Sequence, residues 1–216
     1  QLRLPHLRRV FQPVSSFLMF AFFAFCLLGI ERFVYGFIYQ YPESFKKLCE
    51  GPLKAVWHKK KKLYWDVAKE IGIWIKVFQF GVIAYDILWR IGLSVPSTNS
   101  LVVGLTLVGA GQVLNVATYN AIGAMGVYYG EQLGYHVPWC HNFPYNCGLG
   151  DPQYWGVVLC VWGMYAILAP GLTDVLSGQC LIPVYETFWY IASMKLLEHA
   201  GNGTITLRFL SLKSSD

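Results

Sequence analysis

Charged residues are scarce in this sequence, and their scarcity excludes an ordinary soluble domain. Only 13% of the 216 residues are Asp, Glu, Lys or Arg, whereas 55% are hydrophobic and 17% are aromatic. Soluble globular domains carry about 25% charged residues. The composition therefore predicts an integral membrane protein, and the length fits a single domain over residues 1–216.

Two long stretches lack charge altogether. Residues 10–30 contain no charged side chain, and no ionisable side chain other than tyrosine or cysteine occurs between Arg90 and Glu131. A helix crosses the hydrocarbon core with about 20 mostly apolar residues. We predict an all-α, polytopic membrane helix bundle with four or five transmembrane helices plus an interfacial amphipathic helix. The predicted spans are 14–37, 71–93, 101–124 and 154–169, and a further apolar stretch at 175–197 either completes the fourth span or forms a fifth.

The positive charge is concentrated in one loop. The formal net charge is +5, and many of the basic residues lie at 41–69, including the run at 58–62. Such a loop either marks the side of the membrane on which it stays or binds anionic lipid headgroups, and both readings stay open. Its apolar residues recur at helical spacing, which predicts the amphipathic helix. No nucleic-acid module is recognisable, so we expect no nucleic-acid partner.

Five charged side chains lie within the first two predicted spans. Glu31 and Arg32 fall near the end of the first, where tyrosines suited to the interface follow. Lys76 is near enough to an end of the second for its amine to reach the interface. Asp86 and Arg90 are four residues apart, so we expect them to neutralise each other. Charges within a span are functional candidates, but this last pair is interpreted as structural.

Both ends of the sequence are polar tails, at 1–13 and 199–216. Residues 1–13 contain three arginines and no acid. This composition is typical of the end of an organellar transit sequence and also of the basic flank of a first membrane helix. The first interpretation favours the mitochondrial inner membrane over the endoplasmic reticulum.

Closely paired cysteines are absent, because the six cysteines include no C-x-x-C spacing. Four potential metal ligands, His136, Cys140, His141 and Cys147, nevertheless cluster in one loop. A metal ion or a Cys140–Cys147 disulfide there stays open as an alternative. The spacing requires neither, so we predict no metal site.

That loop, residues 126–153, is the stretch around which the chain is organised. It opens with GVYYGE at 126–131, continues through FPYN at 143–146 and leads into DPQYWG at 151–156. Turn-forming polar residues this dense between apolar segments predict a specified surface. These motifs closely resemble the loop between the last membrane segments of the phospholipid N-methyltransferases, the phosphatidylethanolamine N-methyltransferase family. The resemblance covers roughly residues 100–198.

The resemblance implies transfer of methyl groups from S-adenosylmethionine to the amine of phosphatidylethanolamine or its methylated forms, with phospholipids as partners. In that family a G-x-G in the third span and two adjacent acids after the last apolar segment hold the cofactor. The first matches Gly109-Ala110-Gly111. The second falls on Leu197-Glu198, which His199 follows, so the implied cofactor-binding residues are Gly109, Gly111, Glu198 and His199.

The chemistry of the headgroup adds further candidates. An ammonium has no lone pair, so the site must remove a proton from it or favour the neutral amine. We expect Glu131, Glu198 and His141 to serve in catalysis. Aromatic ring faces attract a methylated ammonium, and the predicted substrate-binding residues are Tyr128, Asn146, Tyr154 and Trp155.

Two departures from the family pattern keep other functions open. Leu197 replaces one of the two acids, and one extra residue lies between Asn146 and Asp151. The alternative is a catalytically lapsed member that serves as a structural subunit of a larger mitochondrial membrane complex, of the respiratory or ATP synthase type. A methyltransferase for prenylated cysteine or a sterol-type lipid fits less well, because the loop reads DPQY where that branch has Arg-His-Pro-x-Tyr.

Overall fold

The computed structural model describes residues 14–93, 95–138, 140–169 and 179–197. Within these ranges all regular structure is helical, which confirms the predicted all-α fold. The α-helices are α1 (Val14–Gln40), α2 (Pro42–Glu50), α3 (Lys54–Lys59), α4 (Tyr64–Tyr85), α5 (Thr98–Val127), α6 (Pro152–Leu168) and α7 (Leu181–Ala192). Helix α4 continues in π-helical form over Asp86–Ile91, and α7 does so over Ser193–Leu197.

Three of these helical segments are long and apolar enough to cross a membrane: Ser16–Gln40, Tyr64–Ile91 and Thr98–Val127. Helix α6 is apolar but shorter, at 17 residues. These four coincide with the first four predicted spans. Helix α7 lies within the 175–197 stretch and packs against both α1 and α6. It is therefore a further helix of the bundle.

Successive long helices run in opposite directions. Gly104 near the start of α5 meets Gly163 near the end of α6, and Gly111 meets Gly156. An apolar cluster joins the first half of α1 to the ends of α4 and α6 and the start of α7. A second cluster joins the end of α1, helix α2, the start of α4 and the residues after α5. We call this second end of the bundle, which carries α2, α3 and the loop after α5, the loop face.

Glycines allow α5 and α6 to approach closely. A Cβ atom added to Gly111 would lie 2.5 Å from the carbonyl oxygen of Gly156, and one added to Gly163 would lie 2.6 Å from that of Gly104. Small residues bring helix backbones into contact in membranes, where packing replaces the hydrophobic effect. At Gly123 the backbone has a φ of 67°, which glycine adopts readily, and α5 is kinked there.

The basic loop forms two short helices in place of the single amphipathic helix that was predicted. Helix α2 is amphipathic, since it buries Phe45 and Cys49 and exposes Lys47. Gly51-Pro52 separates it from α3, because proline supplies no N–H to continue a helix. Lys60 forms an ion pair with Glu70 of α4 at 2.7 Å.

The charges inside the spans follow the predictions only in part. Asp86 and Arg90 form the expected ion pair, and the hydroxyl of Tyr165 also donates to Asp86 at 2.7 Å. The prediction that Lys76 reaches the interface is wrong, because its amine binds Glu31 within the bundle. Glu31 and Arg32 are each only 2% exposed, so their side chains lie in the interior of the bundle.

The organising loop is shorter than the predicted 126–153 interval and is well packed. Helix α5 runs through Val127 and α6 begins at Pro152, which leaves 128–151 between them. Tyr129 and Leu133 are buried in the cluster of the loop face, and the hydroxyl of Tyr135 accepts a hydrogen bond from the backbone of Tyr64 at 3.0 Å. These contacts agree with the interpretation of a specified surface.

Candidate functional site

A cavity of about 230 Å³ lies between α1, α4 and α7 and the adjoining ends of α5 and α6. Its lining is unusually rich in tyrosine and in buried charge. Because it includes Tyr128 just after α5 and Tyr154 in the first turn of α6, it lies toward the loop face. We call it the tyrosine cavity.

Glu31 connects two cations in this cavity. One carboxylate oxygen, Oε1, lies 2.9 Å from Arg32 Nη2, and the other, Oε2, accepts a hydrogen bond from Lys76 Nζ at 2.6 Å. Lys76 also donates to Gln79 at 3.0 Å and to the Tyr190 hydroxyl at 2.9 Å. An ammonium has three N–H groups, so all donors of Lys76 are used.

Arg32 is held by aromatic rings and retains donors without partners. Its guanidinium carbon lies 4.3 Å from the ring centroid of Tyr190, 4.6 Å from that of Tyr154 and 5.3 Å from that of Tyr35. Arg32 Nε and Nη1 are buried and have no hydrogen-bond partner within the described ranges. An unsatisfied buried donor costs free energy, which a ligand that accepts from it would recover.

A second, larger cavity of about 470 Å³ lies next to the first, and Lys76 and Val157 line both. Its walls are mainly apolar side chains of α4, α5 and α6, and we call it the apolar cavity. Two buried acceptors on its lining, Glu186 Oε2 and Asn115 Oδ1, find no donor in the part of the chain that the structure describes. The cavity therefore combines space for an apolar or nucleoside-sized group with acceptors suited to a cationic or amino ligand.

Two of the predicted substrate-binding residues come together here. Tyr128 and Tyr154 both line the tyrosine cavity. Burial, and a hydrogen bond from Tyr119 at 3.2 Å, raise the pKa of Tyr128 well above its ordinary value, so its hydroxyl stays protonated. The ring face of Tyr154 already covers the Arg32 guanidinium. In this structure the Tyr154 ring therefore contacts a cation of the protein itself.

The other loop candidates lie away from both cavities. Glu131, His141 and Asn146 are exposed residues of the loop, and Trp155 is half-buried in α6. None of the four is among the residues that line the two cavities. Their predicted roles in catalysis and substrate binding stay predictions.

The two glycines of the G-x-G differ in their surroundings. An added Cβ at Gly109 would meet open space, whereas Gly111 is pressed against α6. A ligand can therefore approach the backbone at Gly109, whereas helix α6 fills the space beside Gly111. Glu198 and His199, like the tails at 1–13 and 199–216, lie outside the described residues.

The metal and disulfide alternatives find no support in the loop. Cys140 and Cys147 are both free thiols, and Cys147 donates to the carbonyl of Pro144 at 2.7 Å. Among the described residues there is no group of three or more His, Cys, Asp or Glu side chains placed to hold a metal ion.

Sequence reasoning missed the four ionisable residues of the two cavities as site candidates: Glu31, Arg32, Lys76 and Glu186. The signal was present, since an ionisable residue in an apolar segment is expensive and is a functional candidate by default. The error was to expect the first three to face the membrane interface, whereas they contact one another inside the bundle. Their burial becomes evident only once α1, α4 and α7 are packed together.

Comparison with known proteins gives matches to parts of the chain. Residues 99–200 match the family model described as "Phospholipid methyltransferase". The phosphatidyl-N-methylethanolamine N-methyltransferase of Arabidopsis thaliana is 40% identical over 53 residues, which make up 24% of this chain and 32% of that protein. The similarity thus spans about a third of this relative's length. No solved structure matches the chain significantly.

Proposed function

We propose that the chain transfers methyl groups from S-adenosylmethionine to the amine of phosphatidylethanolamine or its methylated forms, because residues 99–200 match the phospholipid methyltransferase family model. The family match confirms the resemblance seen in the loop motifs. The identities of the methyl donor and of the lipid headgroup that receives the methyl group are what we propose. They are supported by the residues of the two cavities.

The observation that carries the proposal is a buried carboxylate facing an apolar cavity inside the bundle. Glu186 is 2% exposed, lines the apolar cavity and has an oxygen without a partner among the described residues. A membrane helix does not retain such a group for packing alone, because an unsatisfied buried acceptor is costly. A cationic ligand or an ammonium would satisfy it.

The residues of the apolar cavity fit the proposed cofactor. Asn115 lines the cavity and offers an acceptor without a donor in the described ranges, whereas Gly109 has open space beside it but is not on the lining. Asn115, with Glu198 and His199 beyond the described part, would hold the cofactor. When bound, S-adenosylmethionine supplies a methyl group on a positively charged sulfonium. The protein must still prepare the amine.

In this proposal the chain's own contribution is the removal of a proton. The headgroup amine has a pKa comparable with that of lysine, about 10, so it is an ammonium without a lone pair at neutral pH. Glu186 Oε2 accepts that proton and becomes a neutral carboxyl, which frees the lone pair of the amine. The apolar walls exclude water and favour the uncharged forms of both partners. Glu131, Glu198 and His141 are the other candidate acceptors.

The alternative of a lapsed structural subunit rests on Leu197 and on the extra residue between Asn146 and Asp151, and it gains nothing from the comparisons. A scaffold has no evident use for unsatisfied polar groups around two cavities. The mitochondrial location and a larger complex stay predictions without support in the structure. The prenylcysteine or sterol alternative is tested by the same substrate comparison that tests the proposal.

Methyl transfer by the full chain in lipid nanodiscs tests the proposal. We expect transfer of label from methyl-labelled S-adenosylmethionine to phosphatidylethanolamine, and none to a prenylated cysteine peptide or a sterol. Glu186→Gln should lower the rate by about a hundredfold or more, the usual contribution of a positioned acid or base. Glu43→Gln is the matched control, because Glu43 is an exposed carboxylate of α2.

Two results would contradict parts of this assignment. Full activity of Glu186→Gln together with loss in Glu131→Gln or His141→Gln would place the base in the loop. Absence of both methyl transfer and S-adenosylmethionine binding at millimolar concentration would favour the lapsed subunit.

A further inference from the structure

We propose that Arg32 binds the phosphodiester of a membrane phospholipid in the tyrosine cavity. This inference rests on the proposed function for its lipid substrate. It assigns a second binding element to a residue of α1, which lies outside the 99–200 match. The ligand chemistry it requires is an oxyanion.

The first argument is the set of hydrogen-bond donors that Arg32 does not use. The residue is 2% exposed, yet Nε and Nη1 lack partners within the described ranges. Arg32 lines the cavity, so an oxyanion placed there is within reach of a buried guanidinium. Hydrogen bonds between guanidinium and phosphate are charge-assisted and about twice as strong as neutral ones.

The second argument is the charge of the cluster. Arg32 and Lys76 contribute two positive charges, and both contact the single carboxylate of Glu31. The carboxylate oxygens are each engaged by one cation, so the lining of the tyrosine cavity carries one more positive than negative charge. Glu186, which also interacts electrostatically with Lys76 and Arg32, lines the adjacent cavity. A monoanionic phosphodiester in the tyrosine cavity balances the charges of its lining.

The third argument is orientation. The rings of Tyr35, Tyr154 and Tyr190 surround the guanidinium at 4.3 to 5.3 Å, so they fix the plane of the group. A planar guanidinium whose faces are covered presents its N–H groups at its edges, which suits recognition of a tetrahedral oxyanion. Lys76 donates all three of its hydrogens to protein groups and therefore keeps Glu31 in place.

Position in the bundle favours a lipid phosphate over the carboxylate of the cofactor. The cavity reaches Tyr128 and Tyr154 beside the loop, at the end of the bundle where headgroups lie. A zwitterionic headgroup with its phosphate at Arg32 can direct its ammonium toward Glu186, since the two cavities share Lys76 and Val157.

Binding measurements without turnover test the inference. The purified full chain in detergent is titrated with dioleoyl phosphatidylethanolamine, with dioleoylglycerol, which has the same tails but no phosphate, and with S-adenosylmethionine. Arg32→Gln should weaken binding of phosphatidylethanolamine at least tenfold and leave the other two affinities unchanged. Arg32→Lys, which keeps the charge but not the planar donor set, should recover only part of the loss.

The wild-type protein provides a second measurement if Arg32→Gln does not fold. It should bind phosphatidylethanolamine at least tenfold more tightly than dioleoylglycerol, and equal affinities would overturn the inference. Unchanged phosphatidylethanolamine binding in a folded Arg32→Gln variant would do the same. A selective loss of S-adenosylmethionine affinity would reassign the oxyanion to the cofactor's carboxylate.

Failure of this inference can be distinguished from failure of the proposed methylation activity. A lapsed enzyme that still binds lipid would show the Arg32 dependence without any transfer. An active enzyme whose lipid affinity ignores Arg32 would refute this inference alone.

Discussion

Glu31 is the residue on which the buried charge of the site depends. Its two oxygens contact Arg32 and Lys76, and no other carboxylate of the described residues lines the tyrosine cavity. The free-energy cost of desolvating three charged groups is therefore offset by the contacts of Glu31 alone. Removing one partner of a buried pair is more harmful than replacing the whole pair, because it leaves an uncompensated charge.

We therefore expect Glu31→Gln to destabilise the protein by about 3–5 kcal/mol. The substitution keeps the size of the side chain but leaves Arg32 and Lys76 as adjacent positive charges. Arg32→Gln should cost much less, since the Glu31–Lys76 pair survives. Thermal unfolding in detergent, followed by tryptophan fluorescence, measures the difference. Equal melting temperatures for the two variants would contradict this account.

At the scale of elements, the two glycines of the G-x-G in α5 have different surroundings: one packs against a neighbouring helix and the other faces open space. Gly111 faces the backbone of α6, whereas the space beside Gly109 is open. The family resemblance implied a cofactor-binding role for both. Which glycine faces a neighbouring helix depends on the rotation of α5 about its axis, and the sequence of one helix does not specify that rotation.

Alanine substitutions separate the two roles. Gly111→Ala should destabilise the bundle by about 1–3 kcal/mol, the usual cost of overpacking, because its methyl group would meet Gly156 and Cys160. Gly109→Ala should leave the melting temperature unchanged and reduce S-adenosylmethionine affinity if the backbone there contacts the cofactor. The opposite order of melting temperatures would show that the α5–α6 contact is wrongly placed.

The fold was more predictable from the sequence than the site. Uncharged runs located α1, α5 and α6, since a bilayer requires apolar segments of a set length. The Asp86–Arg90 pair was also predicted, because residues four apart on a helix are neighbours. The Glu31–Lys76 pair joins residues 45 positions apart on different helices, and such a pairing depends on packing that local patterns do not contain.

At the scale of the whole molecule, the alternation of the helices sets the topology. The end of α1, the start of α4, the end of α5 and the start of α6 meet at the loop face. The basic segment around α3 and the loop that follows α5 therefore lie on one side of the membrane. The short connection between α4 and α5 lies on the other.

Thiol labelling of sealed proteoliposomes tests this topology. Cys147 and a cysteine introduced by Lys61→Cys, both at exposed positions, should react with an impermeant maleimide from the same side. Asn99→Cys, at an exposed position beginning α5, should react only from the opposite side. Peptide mass spectrometry identifies the labelled residues, and permeabilised vesicles show that all three are reactive. Labelling of Lys61→Cys and Asn99→Cys from one side would refute the alternation.

The unequal lengths of α5 and α6 have a consequence for the surrounding bilayer. Helix α5 rises about 38 Å from Thr98 to its kink at Gly123, whereas the 17 residues of α6 rise about 26 Å. The hydrocarbon core is about 30 Å thick, so α5 is longer than the core and α6 is shorter. This hydrophobic mismatch is expected to thin the leaflets beside α6 and to tilt α5. Headgroups beside the tyrosine cavity then lie closer to the membrane centre, and turnover should depend on acyl-chain length.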